Sequence, residues 1–371
     1  MTSSSPPQHH RFVVLDGMRG VAAIMVMISH SSNYAPQAYL AVDMFFALSG
    51  FVLAYGFGRN LSQHGAGLRQ ARLRFAIGRL IRLYPLYFVG SAIALVPAIA
   101  MAVLQVYFYT PKVIVWSLLA APFFVPLNYY FTFPLDPPAW SLSFELIANA
   151  VFCFTAWRRR PAVVLIVVSA PLLFWAIKQW QVWIDGEDFF WHFLLDSIPR
   201  VIFSFFLGVV MCRLWCSGRL PKFGVHPLLL LVVLTALYWL QPQHQGRYVL
   251  AIIFVVQPIL IWIGACSTAK GWTSRLVVWL GMISYGVYIL HVPILMWVEG
   301  IQRLANPALL NASDMSPLSV YFVVPISILA AHWLTLHFEI PTRRRLTARL
   351  DKWLAARTAA RETLMPSETR L

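Results

Sequence analysis

Acid is scarce in this chain. Its 371 residues include 14 Asp and Glu against 29 Lys and Arg, and charged residues of both signs make up only 12% of it. So few charges cannot clothe a soluble surface, since globular domains carry about 25% charged residues. Cysteine is sparser still, at four residues. Cys153, Cys212, Cys216 and Cys266 all lie in or beside apolar runs, and no CxxC or CxxH spacing occurs. That argues against a zinc centre or a disulfide framework, so no metal is expected. No small-residue cleavage site follows the first apolar run, which is expected to remain as a membrane anchor. The sequence also lacks an internal repeat and any stretch resembling a separate soluble domain.

What fills the chain is hydrocarbon: 59% of residues are hydrophobic and the mean hydropathy is +0.68. This is the composition of an all-α integral membrane protein. A net charge of +15 and a pI near 10.1 would ordinarily suggest nucleic acid. The arginines sit instead in clusters between apolar runs, as the positive-inside rule requires, so no nucleic-acid partner is expected.

Apolar stretches fall at about 18–35, 39–57, 82–106, 113–127, 139–157, 161–180, 197–216, 226–241, 247–267, 278–298 and 317–338. The connector with Arg59, Arg69, Arg72, Arg74, Arg79 and Arg82 contains no acid and should be cytoplasmic. The cluster Arg158, Arg159, Arg160 returns to that side only if 113–127, bounded by Pro111 and Pro126, is re-entrant or interfacial. About ten transmembrane helices then place every basic cluster inside. The acidic connector with Asp185, Glu187 and Asp188 falls outside, and both termini are cytoplasmic. The expected domains are a tail at 1–11, a membrane domain at 12–341 and a basic tail at 342–371. Leu346, Leu350, Trp353 and Leu354 recur at helical spacing in that last tail, which suits a helix lying on the inner membrane surface.

The chain is organised around 15–56. Asp16 and Arg19 open the first apolar run there, His30 closes it and Asp43 begins the second. A charge at the bilayer centre costs at least roughly 2.5–3.5 kcal/mol, so these groups should face protein or a wet cavity. Arg19 and His30 share a helix face about 16 Å apart along the axis. His30 and Asp43 flank a short connector at similar depth, as a carboxylate orienting a histidine base would. The structural alternative makes Asp43 a helix cap and His30 a hydrogen-bonded core residue.

Further in, Arg79 and Arg82 share a face with Pro85 one turn on, and with Arg19, Arg72 and Arg74 they form a cationic neighbourhood suited to a polyphosphate. Ser141, Glu145 and Asn149 make one polar stripe, with Glu145 at about the depth of His30. Ser284, Tyr288 and His291 make another. Glu339, in Phe338-Glu339-Ile340-Pro341, is expected to pair with one of the arginines. Together the acid and base groups suit proton abstraction from a hydroxyl, and the arginines suit a phosphorylated donor from the cytoplasm.

The segments LDGMRGVAAIMVMISH, AVDMFFALSGFVLAYGF, GRLIRLYPLY, WSLSFE, LGMISYGVYILH and FEIP, in that order across residues 15–341, resemble the ordered signature of the membrane-bound acyltransferase-3 family. The resemblance implies an O-acyltransferase of carbohydrates and related acceptors, in a bacterial inner membrane. It makes His30 the essential histidine and Glu145 the motif glutamate, with Arg19, Arg79 and Arg82 holding acyl-CoA. Catalysis is thus assigned to His30, Asp43 and Glu145, with His291, Ser141, Asn149 and Tyr288 as further candidates. Nothing is expected to be permanently bound. Acyl-CoA, taken as acetyl-CoA, is the donor substrate, a carbohydrate or glycolipid the acceptor, and membrane lipid the surroundings. After Glu145 the chain reads Leu146-Ile147-Ala148-Asn149, where the family continues with acidic and aromatic residues, a departure that bears on the acceptor. No esterase-like domain follows, so the chain would act alone or pass its acyl group to a separate partner. The alternative is a proton-coupled transporter or flippase, against which the missing inverted repeat counts.

Overall fold

The computed structural model describes residues 11–58, 60–62, 66–104, 109–127, 133–155, 159–183, 189–305 and 318–364. Arg59, Arg158 and the acidic connector at 185–188 lie outside them. The described residues are mostly helical, joined by short turns and loops, and include no strand. The order is α1 (Val13–Ser31), α2 (Ala41–Phe57), α3 (Ala66–Val103), α4 (Pro111–Ala120), α5 (Ala139–Thr155), α6 (Arg159–Trp183), α7 (Phe189–Ser217), α8 (Pro227–Trp239), α9 (Gln245–Ala251), α10 (Gln257–Cys266), α11 (Gly271–Ala305), α12 (Ser319–Leu334) and α13 (Ile340–Leu364). Two π-helical turns, Ile252–Val256 and Thr335–Glu339, join α9 to α10 and α12 to α13 without a break.

Each of the eleven apolar stretches holds a helix among its described residues. Among the described residues eight helices are long and apolar enough to cross a membrane, while Pro111–Phe123, Ala139–Thr155 and Pro227–Trp239 are shorter. The 10 residues of α4 extend only about 15 Å, half of a hydrocarbon core of about 30 Å. This is the stretch expected to be re-entrant or interfacial.

Two boundaries differ from the sequence reading. The basic segment ahead of residue 82 is not a connector but the first turns of α3, a helix of 38 residues. The tail expected from 342 begins inside a helix running Ser319–Thr358. Both helices are longer than a hydrocarbon core is thick, and their charged stretches meet where Arg74 and Asp351 pair at 3.1 Å. Hydropathy ends where the apolar residues end, whereas a helix ends where its backbone hydrogen bonds do.

Both π turns stand just ahead of a proline, Pro258 and Pro341. Proline lacks an N–H and crowds the carbonyl one turn back, and a wider turn relieves that crowding. The second turn carries Glu339 at its end, buried among neighbours.

The core is built from two tight helix pairs. Helix α1 lies against α11, and a side-chain carbon at Gly20 would collide with the Leu280 backbone. Helix α2 lies against α7, where a carbon at Gly50 would strike the Phe205 carbonyl and one at Gly208 the Ala47 carbonyl. Lipid tails are as apolar as leucine, so helices in a membrane gain from close van der Waals approach, which glycine permits. These pairs place His30 opposite α11 and Asp43 opposite α7.

Candidate functional site

A cavity of about 770 Å³, its open mouth included, lies between α1, α2, α3, α5 and α11. Arg19, Arg79 and Arg82 line it together with Ser141, Glu145 and Tyr288. Three cations facing one cavity would repel each other without partners, and each has one. Arg79 pairs with Glu145, whose same oxygen accepts a hydrogen bond from Ser49 at 2.8 Å. Arg82 pairs with Glu339 and lies 4.8 Å over the Tyr285 ring. Arg19 meets Asp16 at 3.3 Å. The cationic wall is therefore charge-balanced by carboxylates that could be exchanged for another anion.

Two expected arginines are elsewhere. Arg72 donates to the Cys153 carbonyl at 3.3 Å and covers Phe154, and Arg74 takes Asp351. Both fasten the projecting start of α3 and neither lines the cavity.

At the cavity's other end the Tyr288 and Ser141 hydroxyls meet at 2.8 Å, and Ser141 donates onward to the Pro138 carbonyl at 2.9 Å. The Tyr288 ring is 6.0 Å from that of His291. His291 is completely buried and contacts His30, Nε2 to Nδ1, at 2.8 Å, with the rings 5.1 Å apart and 20° from parallel. Chemistry assigns the protons. The Nδ1 of His291 is 3.1 Å from the Val287 carbonyl. A carbonyl only accepts, so that nitrogen carries the hydrogen and Nε2 of a neutral His291 is a bare acceptor. His30 must then donate from Nδ1, which leaves its own Nε2 lone pair free. Although His30 lies deep among protein atoms, the residue keeps exposed surface. The pair thus leaves one basic nitrogen, Nε2 of His30, outside the contact, with the sealed imidazole of His291 behind it.

The partner expected for His30 was Asp43, and that expectation is corrected. Asp43 is completely buried and grips Arg200 on α7, with contacts of 2.6, 2.8 and 3.0 Å, while Ser204 adds a longer one at 3.4 Å. Asp196 flanks Arg200 at 3.8 Å. A carboxylate held by a guanidinium fork has little left for an imidazole on another helix. His291 fills the place given to Asp43.

The stripe on α5 also divides. Ser141 and Glu145 face the cavity, while Asn149 is buried off it, with neither amide atom hydrogen-bonded. Ser284 lines the cavity and donates to the Gly281 carbonyl at 2.8 Å. Among the described residues no three His, Cys, Asp or Glu side chains gather as metal ligands. Sequence reasoning missed Arg200 and Asp196. They stand four residues apart in the apolar run of α7, and two opposite charges so placed in a membrane helix were the available signal.

A family described as an acyltransferase domain matches residues 12–336. A protein of Rhizobium radiobacter, named only as protein 2 of the picA locus, is 35% identical over 195 residues, which is 48% of this chain and 99% of that protein. The peptidoglycan O-acetyltransferase OatA of Listeria monocytogenes is 24% identical over 333 residues, or 80% of this chain. That alignment spans 51% of OatA, so the chain corresponds to about half of that relative. No solved structure matches the chain.

Proposed function

The chain belongs to the acyltransferase-3 family, and on that premise we propose that it moves an acyl group, taken as acetyl, from cytoplasmic acyl-CoA to a hydroxyl of a carbohydrate-containing acceptor. The observation that carries this reading is the imidazole pair, an exposed His30 backed by a sealed His291, beyond an arginine-lined cavity. The phosphates of the donor take the arginine end, displacing carboxylates from Arg79 and Arg82. The pantetheine arm extends past Tyr288, and the thioester stops near His30.

The acceptor oxygen attacks the thioester carbonyl as Nε2 of His30 removes its proton. The new C–O bond forms, the C–S bond breaks, and the proton returns from His30 to the sulfur, so CoA leaves as a thiol. The lone pair of His291 faces the Nδ1–H of His30 and steadies the imidazolium formed between these steps. Glu145 serves as the counter-ion of Arg79 and sets the charge of the cavity as the donor enters. The transporter alternative needs protons to pass among His30, Asp43 and Glu145, and Asp43 is occupied by Arg200. Purified protein with labelled acetyl-CoA and membrane extract tests the proposal. Label should appear in a carbohydrate fraction, and its absence from every acceptor fraction would favour transport.

Donor binding gives a separate expectation. Charge-assisted contacts are worth roughly 1.5–3 kcal/mol each, so Arg79→Ala and Arg82→Ala should each weaken CoA binding roughly ten- to a hundred-fold. Lysine should restore only part of it, because the planar fork is lost. Equilibrium binding of CoA to the purified variants measures this, and unchanged affinity would take the arginines out of the donor site. Sidedness is tested by reporters fused after Arg160 and at the C-terminus. Both should read cytoplasmic, and an external signal at Arg160 would reverse the face from which the donor enters.

A further inference from the structure

Glu339 is the least comfortable carboxylate on the donor side. Its side chain is only 2% exposed, and one oxygen, Oε1, receives both Arg82 and Arg343, the latter at 3.4 Å. The other oxygen, Oε2, is buried with no hydrogen-bond partner. Two guanidiniums offer ten N–H donors between them, and a single carboxylate oxygen engages few. A phosphoryl group, with three acceptor oxygens, suits such a pair better than one end of a carboxylate does. Arg343 is 41% exposed, whereas Arg82 reaches inward to the cavity. Glu339 ends the π turn and Arg343 stands one turn beyond it on α13, so both belong to the junction of the last two helices.

We propose that Arg343, together with Arg82, forms an outer phosphoryl-binding site in which Glu339 is the resident counter-ion, displaced when the donor arrives. Arg343 is the more exposed of the two arginines, so this site takes the phosphate farthest from the thioester, while Arg79 and Arg19 hold the others. This rests on the reading of the cavity as the site of a phosphorylated donor.

The test is binding of CoA, and separately of inorganic pyrophosphate, to the full chain in nanodiscs of neutral lipid, where anionic headgroups cannot compete. Arg343→Ala should weaken CoA roughly tenfold or more. Glu339→Gln, which removes the competing charge, should tighten it. An Arg343→Ala protein that binds CoA within twofold of wild type overturns the outer site and leaves the donor reading intact. Weaker CoA binding by Glu339→Gln overturns the exchange. If the wild type binds no CoA, the donor reading fails, and pyrophosphate decides the site alone. Thermal stabilisation by pyrophosphate that disappears in Arg343→Ala upholds it. Stabilisation absent from the wild type, or equal in both proteins, removes it.

Discussion

His30→Ala is expected to lower acyl transfer roughly 10²- to 10⁴-fold, the usual worth of a positioned general base, while CoA still binds. The donor's phosphates would lie at Arg79 and Arg82, away from the imidazole, so loss of the base should appear in kcat and not in the donor KM. His30→Gln should fail equally, since an amide accepts a hydrogen bond but takes no proton near neutral pH. Replacing the sealed ring gives a graded result. His291→Ala removes the acceptor behind Nδ1 and should lower kcat less than loss of His30 does. His291→Gln, whose carbonyl oxygen can accept the same hydrogen, should recover part of that loss. Purely structural damage would lower thermal stability in step with kcat and show no such recovery. Label transfer that survives intact in His30→Ala would remove the base from the mechanism.

Breaking the Asp43–Arg200 pair should have the other large effect, on folding. Removing one partner of a buried ion pair leaves an uncompensated charge and costs about 3–5 kcal/mol, and here Arg200→Met leaves both Asp43 and Asp196 without their cation. Arg200→Met and Asp43→Leu should each yield little protein or a sharply lower melting temperature in detergent. The double variant Asp43→Leu/Arg200→Met should regain much of the loss, because an apolar pair of similar volume can replace a buried ion pair. The same series separates a structural role for Asp43 from an orienting one. If Asp43 oriented His30, Asp43→Asn would reduce transfer with melting unchanged. The α2–α7 clamp predicts that melting falls first and transfer follows it.

The helices were legible because apolar residues had to be adjacent in sequence to span a membrane at all. Their ends were not, because Arg69, Arg72 and Arg74 continue α3 as readily as they could form a loop, and guanidinium side chains do not stop a helix. The functional residues divide along a similar line. Depth and helix face follow from spacing, which brings Arg19, Arg79, Arg82 and Glu145 to one cavity. Pairing between helices does not follow from spacing. Asp43 and His30 share a depth, but the glycines at 50 and 208 draw α2 toward α7, and the carboxylate meets Arg200 before it can meet an imidazole. His291 could be placed on a face with Ser284 and Tyr288, yet only the approach of α1 to α11 shows that it touches His30.

The glycine contacts bear on how the molecule can open. Where backbones touch, neither helix can roll or slide past its neighbour without a steric collision, so α1 with α11 and α2 with α7 each behave as a stiff strut. The walls bearing Arg79, Arg82 and Glu145 belong to α3 and α5, and α3 is itself fastened to α11, by the Tyr285 hydroxyl on the Leu83 carbonyl and by the close approach at Gly90, while the ion pairs of Arg79 and Arg82 are exchangeable. Entry of a bulky donor would therefore exchange ion pairs along the cavity wall rather than part the struts, and the α1–α11 strut would hold His30 against His291.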